Sequence, residues 1–209
     1  MIKKLLQRVF GAGKTSTKNQ KAATATRQPS KKSSAAKRIP SKVHRIDRKL
    51  LSTGAIKTTE GLQKAGFQAF VVGGAVRDLL LKKRPKDFDI ATDATPEEVN
   101  RIFRRSRIIG RRFRLVHVMF GSETVEVSTF RGSHLDESDE ALARIAESGR
   151  ILRDNVFGNQ EQDAARRDFT ANALYYDPAT EDVLDFHNGV ADIQAGVLRM
   201  IGDPAMRYR

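Results

Sequence analysis

The chain has 209 residues, no cysteine and a formal net charge of +13, a length that accommodates one domain or a domain and a half. The lack of cysteine fits a reducing compartment and, with His44, His117, His134 and His187 showing no ligand-like spacing, argues against a zinc site. No apolar run approaches the roughly 20 residues of a membrane span.

The charge is confined to one end. Residues 1–46 carry 13 Lys and Arg and no acid, whereas 25 basic and 25 acidic residues follow from Asp47 onward. Rich in Ser, Thr, Ala and Lys, with little apolar material after Phe10, residues 1–44 bury too little surface to offset their ordering entropy. They predict a disordered basic arm that binds nucleic acid or anionic surfaces by charge. Ile2, Leu5, Leu6, Val9 and Phe10 share one helical face while Lys3, Lys4 and Arg8 lie elsewhere, so residues 1–10 read as a short amphipathic leader suited to peripheral contact with an anionic membrane. A transit peptide or a plain solubilising tail fits the same composition. Gly13-Lys14-Thr15 ends like a phosphate loop, but Arg8 stands where that loop needs glycine and no apolar strand precedes it.

Residues 45–209 read as alternating short helices and strands: a helix to about residue 64, a strand over 68–72, a helix over 75–82 and a strand over 87–91. Gly73-Gly74 lets the chain turn tightly from the first strand into a helix whose Val76, Leu79 and Leu80 share a face. Bare N–H groups at that helix start, with Arg77 one turn in, suit a polyphosphate. Asp87 and Asp89, two apart on the next strand, fall on one face while Phe88 and Ile90 take the other. Paired carboxylates of this kind can hold two divalent ions that activate a hydroxyl and clamp a leaving phosphate, with magnesium the fitting metal for oxygen ligands. Thr95-Pro96-Glu97-Glu98 marks a helix start; strands over 106–109, 114–120 and 123–130 follow, the last two joined by a tight Gly121-Ser122 turn. Glu126 alternates onto the face opposite Val125 and Val127, either as a third carboxylate beside Asp87 and Asp89 or as an exposed strand residue. Residues 131–160 are poor in apolar positions and read as a mobile loop, a lid or simple disorder. Arg166-Arg167-Asp168 reads as the start of a helix that buries Phe169, Ala173 and Leu174, with two guanidiniums placed to neutralise triphosphate oxygens. The expected product is an α+β fold, a mixed and largely antiparallel sheet with helices packed on one side.

Two motifs in this order, GGAVRDLL with KDFDIAT and then EQDAARRDFTANALYYDP at 161–178, resemble the signatures of class II template-independent RNA nucleotidyltransferases. These are the bacterial poly(A) polymerases and tRNA CCA-adding enzymes, of the DNA polymerase beta-like superfamily. The resemblance runs from about His44 to the last residue. It implies transfer of a nucleotide from ATP to RNA 3′ ends with two magnesium ions, Asp87, Asp89 and Asp168 as catalytic carboxylates, and Gly73, Gly74, Arg77, Arg166, Arg167 and Asn172 on the nucleotide. It also implies a strand over 183–186, a helix after the NGVADI turn, and a cytoplasmic bacterial protein, peripheral at the inner membrane if the leader engages lipid.

The segment 108–118, IIGRRFRLVHV, resembles the poly(A) polymerase version of the family more than the CCA-adding one. Members continue into a helical neck and body that read the base and grip RNA; this sequence contains neither, so it reads as a catalytic head alone. A poly(A) polymerase head, a CCA-adding head and an inactive RNA-binding fragment are the three readings it leaves.

Overall fold

The computed structural model describes residues 36–111, 113–132 and 156–203. The amphipathic leader, the basic arm as far as residue 35 and the middle of the 131–160 loop lie outside the described residues. At the loop's two ends, Arg131 bridges Phe157, Gly132 N–H donates to the Val156 carbonyl at 2.8 Å and Gly158 N–H to the Phe130 carbonyl at 2.8 Å.

Among the described residues eight strands form one sheet: β1 (Lys37–Ile39), β2 (Ala69–Val72), β3 (Asp89–Thr92), β4 (Ser106–Ile109), β5 (Leu115–Phe120), β6 (Glu123–Thr129), β7 (Leu174–Asp177) and β8 (Asp182–Asp185). Their spatial order is β1-β8-β7-β2-β3-β6-β5-β4. Only β3 and β6 run parallel, with Asp89 opposite Glu126; the other pairs are antiparallel. That matches the mixed, largely antiparallel sheet expected from the sequence. Among the described residues six α-helices accompany it: α1 (Ser41–His44), α2 (Thr53–Lys64), α3 (Gly74–Leu80), α4 (Pro96–Ile102), α5 (Gln160–Ala165) and α6 (Gly189–Ala195).

Local chemistry fixes the helix ends. The Ser52 hydroxyl accepts from Ala55 N–H at 3.0 Å to start α2, and Thr95 and Glu98 form a reciprocal capping box, with Pro96 in the first turn of α4. Buried Asp185 accepts from the N–H groups of Gly189 and Val190 and so anchors α6 to the end of β8.

Strand alternation divides the core. Val71, Ile90, Val116, Val125, Val127 and Tyr176 point toward α2, α3, α4 and α6, where they meet Leu62, Val76, Leu79 and Val99. Phe70, Val72, Ala91, Phe130 and Tyr175 point the other way, where Ala164 of α5 joins them. Helices therefore lie on both faces, not on one, because Ala164 gives α5 an apolar contact to the second face that its polar sequence, QEQDAA, hardly advertises. The second face is only partly covered, and the polar residues of β3, β5 and β6 share it.

Four further expectations are corrected. Residues 37–44 belong to the sheet domain and not to an arm: β1 pairs with β8, and His44 is buried with its Nε2 2.8 Å from the Glu181 carbonyl. The helix ending at Lys64 starts at Thr53, where Ser52 caps it, and the strand with the two aspartates begins at Asp89, so Asp87 precedes it. The helix beside Arg166 comes before it, as α5; a short 3-10 turn at Thr170–Asn172 follows, and Ala173 and Leu174 are buried while Phe169 is not. Leu174–Asp177 is then a strand, β7, its tyrosines fitting the pleated surface better than a helix.

Candidate active site

The β2-to-α3 turn is built on a backbone conformation that only glycine takes readily. Gly73 has φ 70° and ψ −137°, and an added methyl group there would stand 3.6 Å from an Arg167 guanidinium nitrogen and 4.0 Å from an Asp89 carboxylate oxygen. The turn, the arginine and the aspartate thus meet at one point.

Asp89 opens a cleft of about 300 Å³ on the thinly covered face, lined with Val72, Leu115, Glu126, Ser128, Arg131, Asp163, Arg166 and Arg167. Its side chain is exposed at the start of β3, between β2 and β6. Loss of hydration there, and then the charge of Glu126, hold its pKa above the usual carboxylate value, with Asp87 adding to the shift and Arg167 opposing it. Asp87 is exposed on the extended chain just ahead of β3, on the side opposite buried Phe88. Glu126 is flanked on its two sides by Asp89 of β3 and His117 of β5, and its carboxylate is 3.6 Å from His117 Nε2.

Among the described residues no three His, Asp or Glu side chains converge into a preformed metal cage. The donor set is a pair of carboxylates with a third alongside. That set fits magnesium, which demands near-ideal geometry, keeps several waters and is held through one or two carboxylates plus substrate phosphates.

Arg167 is held at several points. Its Nε and Nη2 donate to Asp163 Oδ2 at 3.3 and 3.0 Å, Nε also reaches the Tyr175 hydroxyl at 3.2 Å, and Nη1 donates to the Asn172 carbonyl at 3.2 Å. The Tyr175 hydroxyl donates to the same Asp163 oxygen at 2.7 Å, and the guanidinium lies 5.2 Å from the Tyr175 ring centre. Burial alone would weaken Arg167's hold on its proton, but Tyr175 and Asp163 outweigh it and the pKa stands above its ordinary value. Burial likewise pushes the Tyr175 hydroxyl far up, so it stays a neutral donor.

Asp163 is not among the residues the motifs single out, although it is buried and organises the cluster. Its one sequence signal is the Asp163-x-x-x-Arg167 spacing, which joins the last turn of α5 to the arginine pair.

A second network lies beside the first. Arg77 is paired with Asp78 at 2.8 Å and donates to Asn172 Oδ1 at 3.0 Å, while the Asn172 amide reaches Asp168 Oδ1 at 3.4 Å. Arg77 and Asn172 are thus coupled to each other, and Asp168 stands in that chain, exposed and outside the lining of the Asp89 cleft. Gly74 adjoins the Arg77 guanidinium, and Arg166 lines the cleft next to Arg167.

Residues 69–199, from β2 to just past α6, match the family described as the poly A polymerase head domain. Among relatives, the chain is 54% identical over 172 residues to poly(A) polymerase I of Salmonella typhimurium, covering 82% of this chain and 37% of that protein. It is 39% identical over 154 residues to a CCA-adding enzyme of Lactobacillus helveticus, covering 74% of this chain and 36% of the relative. Its fold is similar to the crystal structure of the Bacillus stearothermophilus CCA-adding enzyme in complex with CTP, with a TM-score of 0.59 and 33% identity over 75% of this chain and 35% of that one. The chain therefore spans well under half the length of the proteins it matches, and within that span it belongs to the poly A polymerase head-domain family.

Proposed function

We propose that this chain is the catalytic head of a template-independent nucleotidyltransferase that adds AMP from ATP to RNA 3′ ends. The supporting observation is that Asp89 and Arg167 line one cleft and that both stand beside the Gly73 turn, so that an acid, a fixed cation and a phosphate turn are neighbours. In the reaction, the RNA 3′-hydroxyl oxygen bonds to the α-phosphorus of ATP as the bond to pyrophosphate breaks opposite it, and the hydroxyl proton passes to solvent. Asp87 and Asp89, with Glu126 alongside, would hold magnesium. Bound there, two ions lower the pKa of the attacking hydroxyl and offset the charge of the leaving pyrophosphate.

The chain's own groups do the rest. Arg167, locked by Asp163 and Tyr175, offers its remaining donor edge to phosphate without losing rotamer freedom on binding. The α3 start supplies N–H groups beside it. Arg77 and Asn172 orient each other, and Asp168 holds the Asn172 amide, an arrangement suited to the nucleotide sugar. Adenylate addition is favoured over CCA addition by the higher identity to poly(A) polymerase I and by the 108–118 segment.

An incorporation assay with labelled ATP or CTP, magnesium, a generic RNA and a tRNA lacking CCA tests this. Repeated AMP addition to the generic RNA is the expected result. CMP and AMP addition confined to the tRNA would assign the CCA reaction instead, and incorporation that persists in Asp89→Ala would remove the site.

A further inference from the structure

Next to the Asp89 cleft, on the side of Asp87, the surface is hollowed a second time. On β6, Thr124, Glu126 and Ser128 alternate onto one face. Glu126 and Ser128 line the Asp89 cleft, whereas Thr124, with Ser122 in the hairpin turn, lines a second depression of about 590 Å³ together with Lys49, Arg84, Lys86 and Asp87. Asp87 and Asp89, two residues apart, stand one in each.

Three cations border this second depression. Lys49, Arg84 and Lys86 are exposed, and no ion pair forms to any of them among the described residues. Two acids share the lining. Glu123 is already engaged, its carboxylate accepting from Gly54 N–H at 3.1 Å at the start of α2; Asp87 belongs to the proposed metal pair. The loop that carries Arg84 and Lys86 is pinned by buried Pro85 and Phe88, so the two cations project from an anchored segment.

We infer that this groove carries the phosphodiester backbone of the RNA strand just upstream of its reacting 3′ end. The inference rests on the proposed function, because it takes the carboxylates as the point where the 3′-hydroxyl reacts. A row of unpaired cations in a groove selects a polyanion. Asp87 in its lining gives the polyanion a direction, and the triphosphate has separate ligands at Gly73 and Arg167. A concave groove also takes a strand better than it takes the flat surface of a membrane.

The test replaces Lys49, Arg84 and Lys86 together by Gln in the full chain. Binding of a short oligoadenylate is followed against salt, and binding of magnesium with ATP is measured in the same samples. Loss of three phosphate contacts lowers the slope of log affinity against log salt by about 2, with thermal midpoint and nucleotide binding unchanged. A 4-thiouridine next to the RNA 3′ end crosslinks to the 84–88 segment in the parent, and one at the 5′ end does not. Lys14→Gln with Lys18→Gln, in the arm, lowers the slope and keeps that crosslink.

An unchanged slope in the triple variant, or a crosslink independent of position, overturns the groove even if Asp89-dependent nucleotide binding persists. So does a loss of binding to anionic vesicles with RNA binding intact. Failure of nucleotide binding to depend on Asp89 would instead count against the proposed function.

Discussion

Asp89 carries an electrostatic load that its removal should expose. Its pKa is raised in the folded protein above an unfolded value of about 3.9, so between the two the native state binds more protons than the unfolded chain. Stability contributed through this group is therefore present at low pH and falls as pH rises from about 4 through the raised value. Asp89→Asn should abolish that part of the fall: thermal midpoints of variant and parent, measured without metal, should diverge in favour of the variant as pH rises and stay level above the window. Parallel curves throughout would mean that Glu126 and burial do not strain this carboxylate. Magnesium should raise the parent's midpoint more above the window than below it, and the variant's less.

Asp163 poses the opposite case, because its charge is satisfied by Arg167, Tyr175 and the Arg131 N–H. Asp163→Ala leaves a buried guanidinium without its counter-ion, a loss of about 3 to 5 kcal/mol. Chemical denaturation would measure it, and a change under about 1 kcal/mol, the worth of an exposed pair, would show that solvent reaches Arg167 freely.

At the level of elements, the turn into α3 separates strain from chemistry. Gly73→Ala forces a side chain into a backbone region all but reserved for glycine, at about 1 to 3 kcal/mol, and sets a methyl group beside Arg167 and Asp89. Gly66, with φ 91° and no atom within 4 Å of an added methyl group, supplies the control. Both alanine variants should lose stability, but only Gly73→Ala should also lose magnesium-dependent ATP binding. Equal nucleotide affinity in the two would reduce the turn to scaffold.

The same elements show what the sequence makes legible. Gly73-Gly74, Asp87-x-Asp89 and the Thr95 capping box are local: each works through neighbours a few residues away, so spacing reveals it. β7 and β1 are not. Leu174–Asp177 follows a helical segment with no turn signal, and its strand state comes from pairing with β2 and β8; Lys37–Ile39 sits in a basic, Ser-rich stretch, and only Asp182–Asp185, far along the chain, makes it a strand. Asp163 was hidden for a related reason. Its partner Tyr175 lies on β7, and a buried carboxylate reads in sequence like any other acid of a helix.

Across the whole molecule, most of the net charge lies ahead of the sheet domain, residues 1–35 carrying nine of the thirteen Lys and Arg that precede Asp47. Removing residues 1–35 should weaken RNA binding most at low salt and leave the thermal midpoint in place, whereas removal through His44 should also lower the midpoint, because it strips β1 and the buried histidine from the sheet. Identical midpoints for the two truncations would make β1 energetically idle. Nucleotide choice is the other property of the whole. The polar side chains lining the Asp89 cleft are charged or hydroxyl-bearing, and among the described residues no side-chain amide lines it. Base discrimination rests on hydrogen bonds worth about 1 to 3 kcal/mol each, so calorimetric titration with the four nucleotides should give affinities within a few fold. A strong preference for ATP would place a base reader within this chain.

The position of β2 bears on how the protein is made. In the finished sheet β2 lies between β3 and β7, and all four of its residues, Ala-Phe-Val-Val, are buried. During synthesis from the N-terminus, its β3 side is covered early, whereas β7 arrives only after the 131–160 loop has been translated. At roughly 5 to 20 residues per second, the interval between completion of β6 and of β7 lasts several seconds. Through that interval the nascent sheet ends in an apolar edge, the kind of strand that pairs with another chain. Translational pausing within the loop would prolong that exposure, and crowding of ribosomes on one message would bring identical edges together, so the yield of soluble protein should depend on elongation rate between codons 130 and 177.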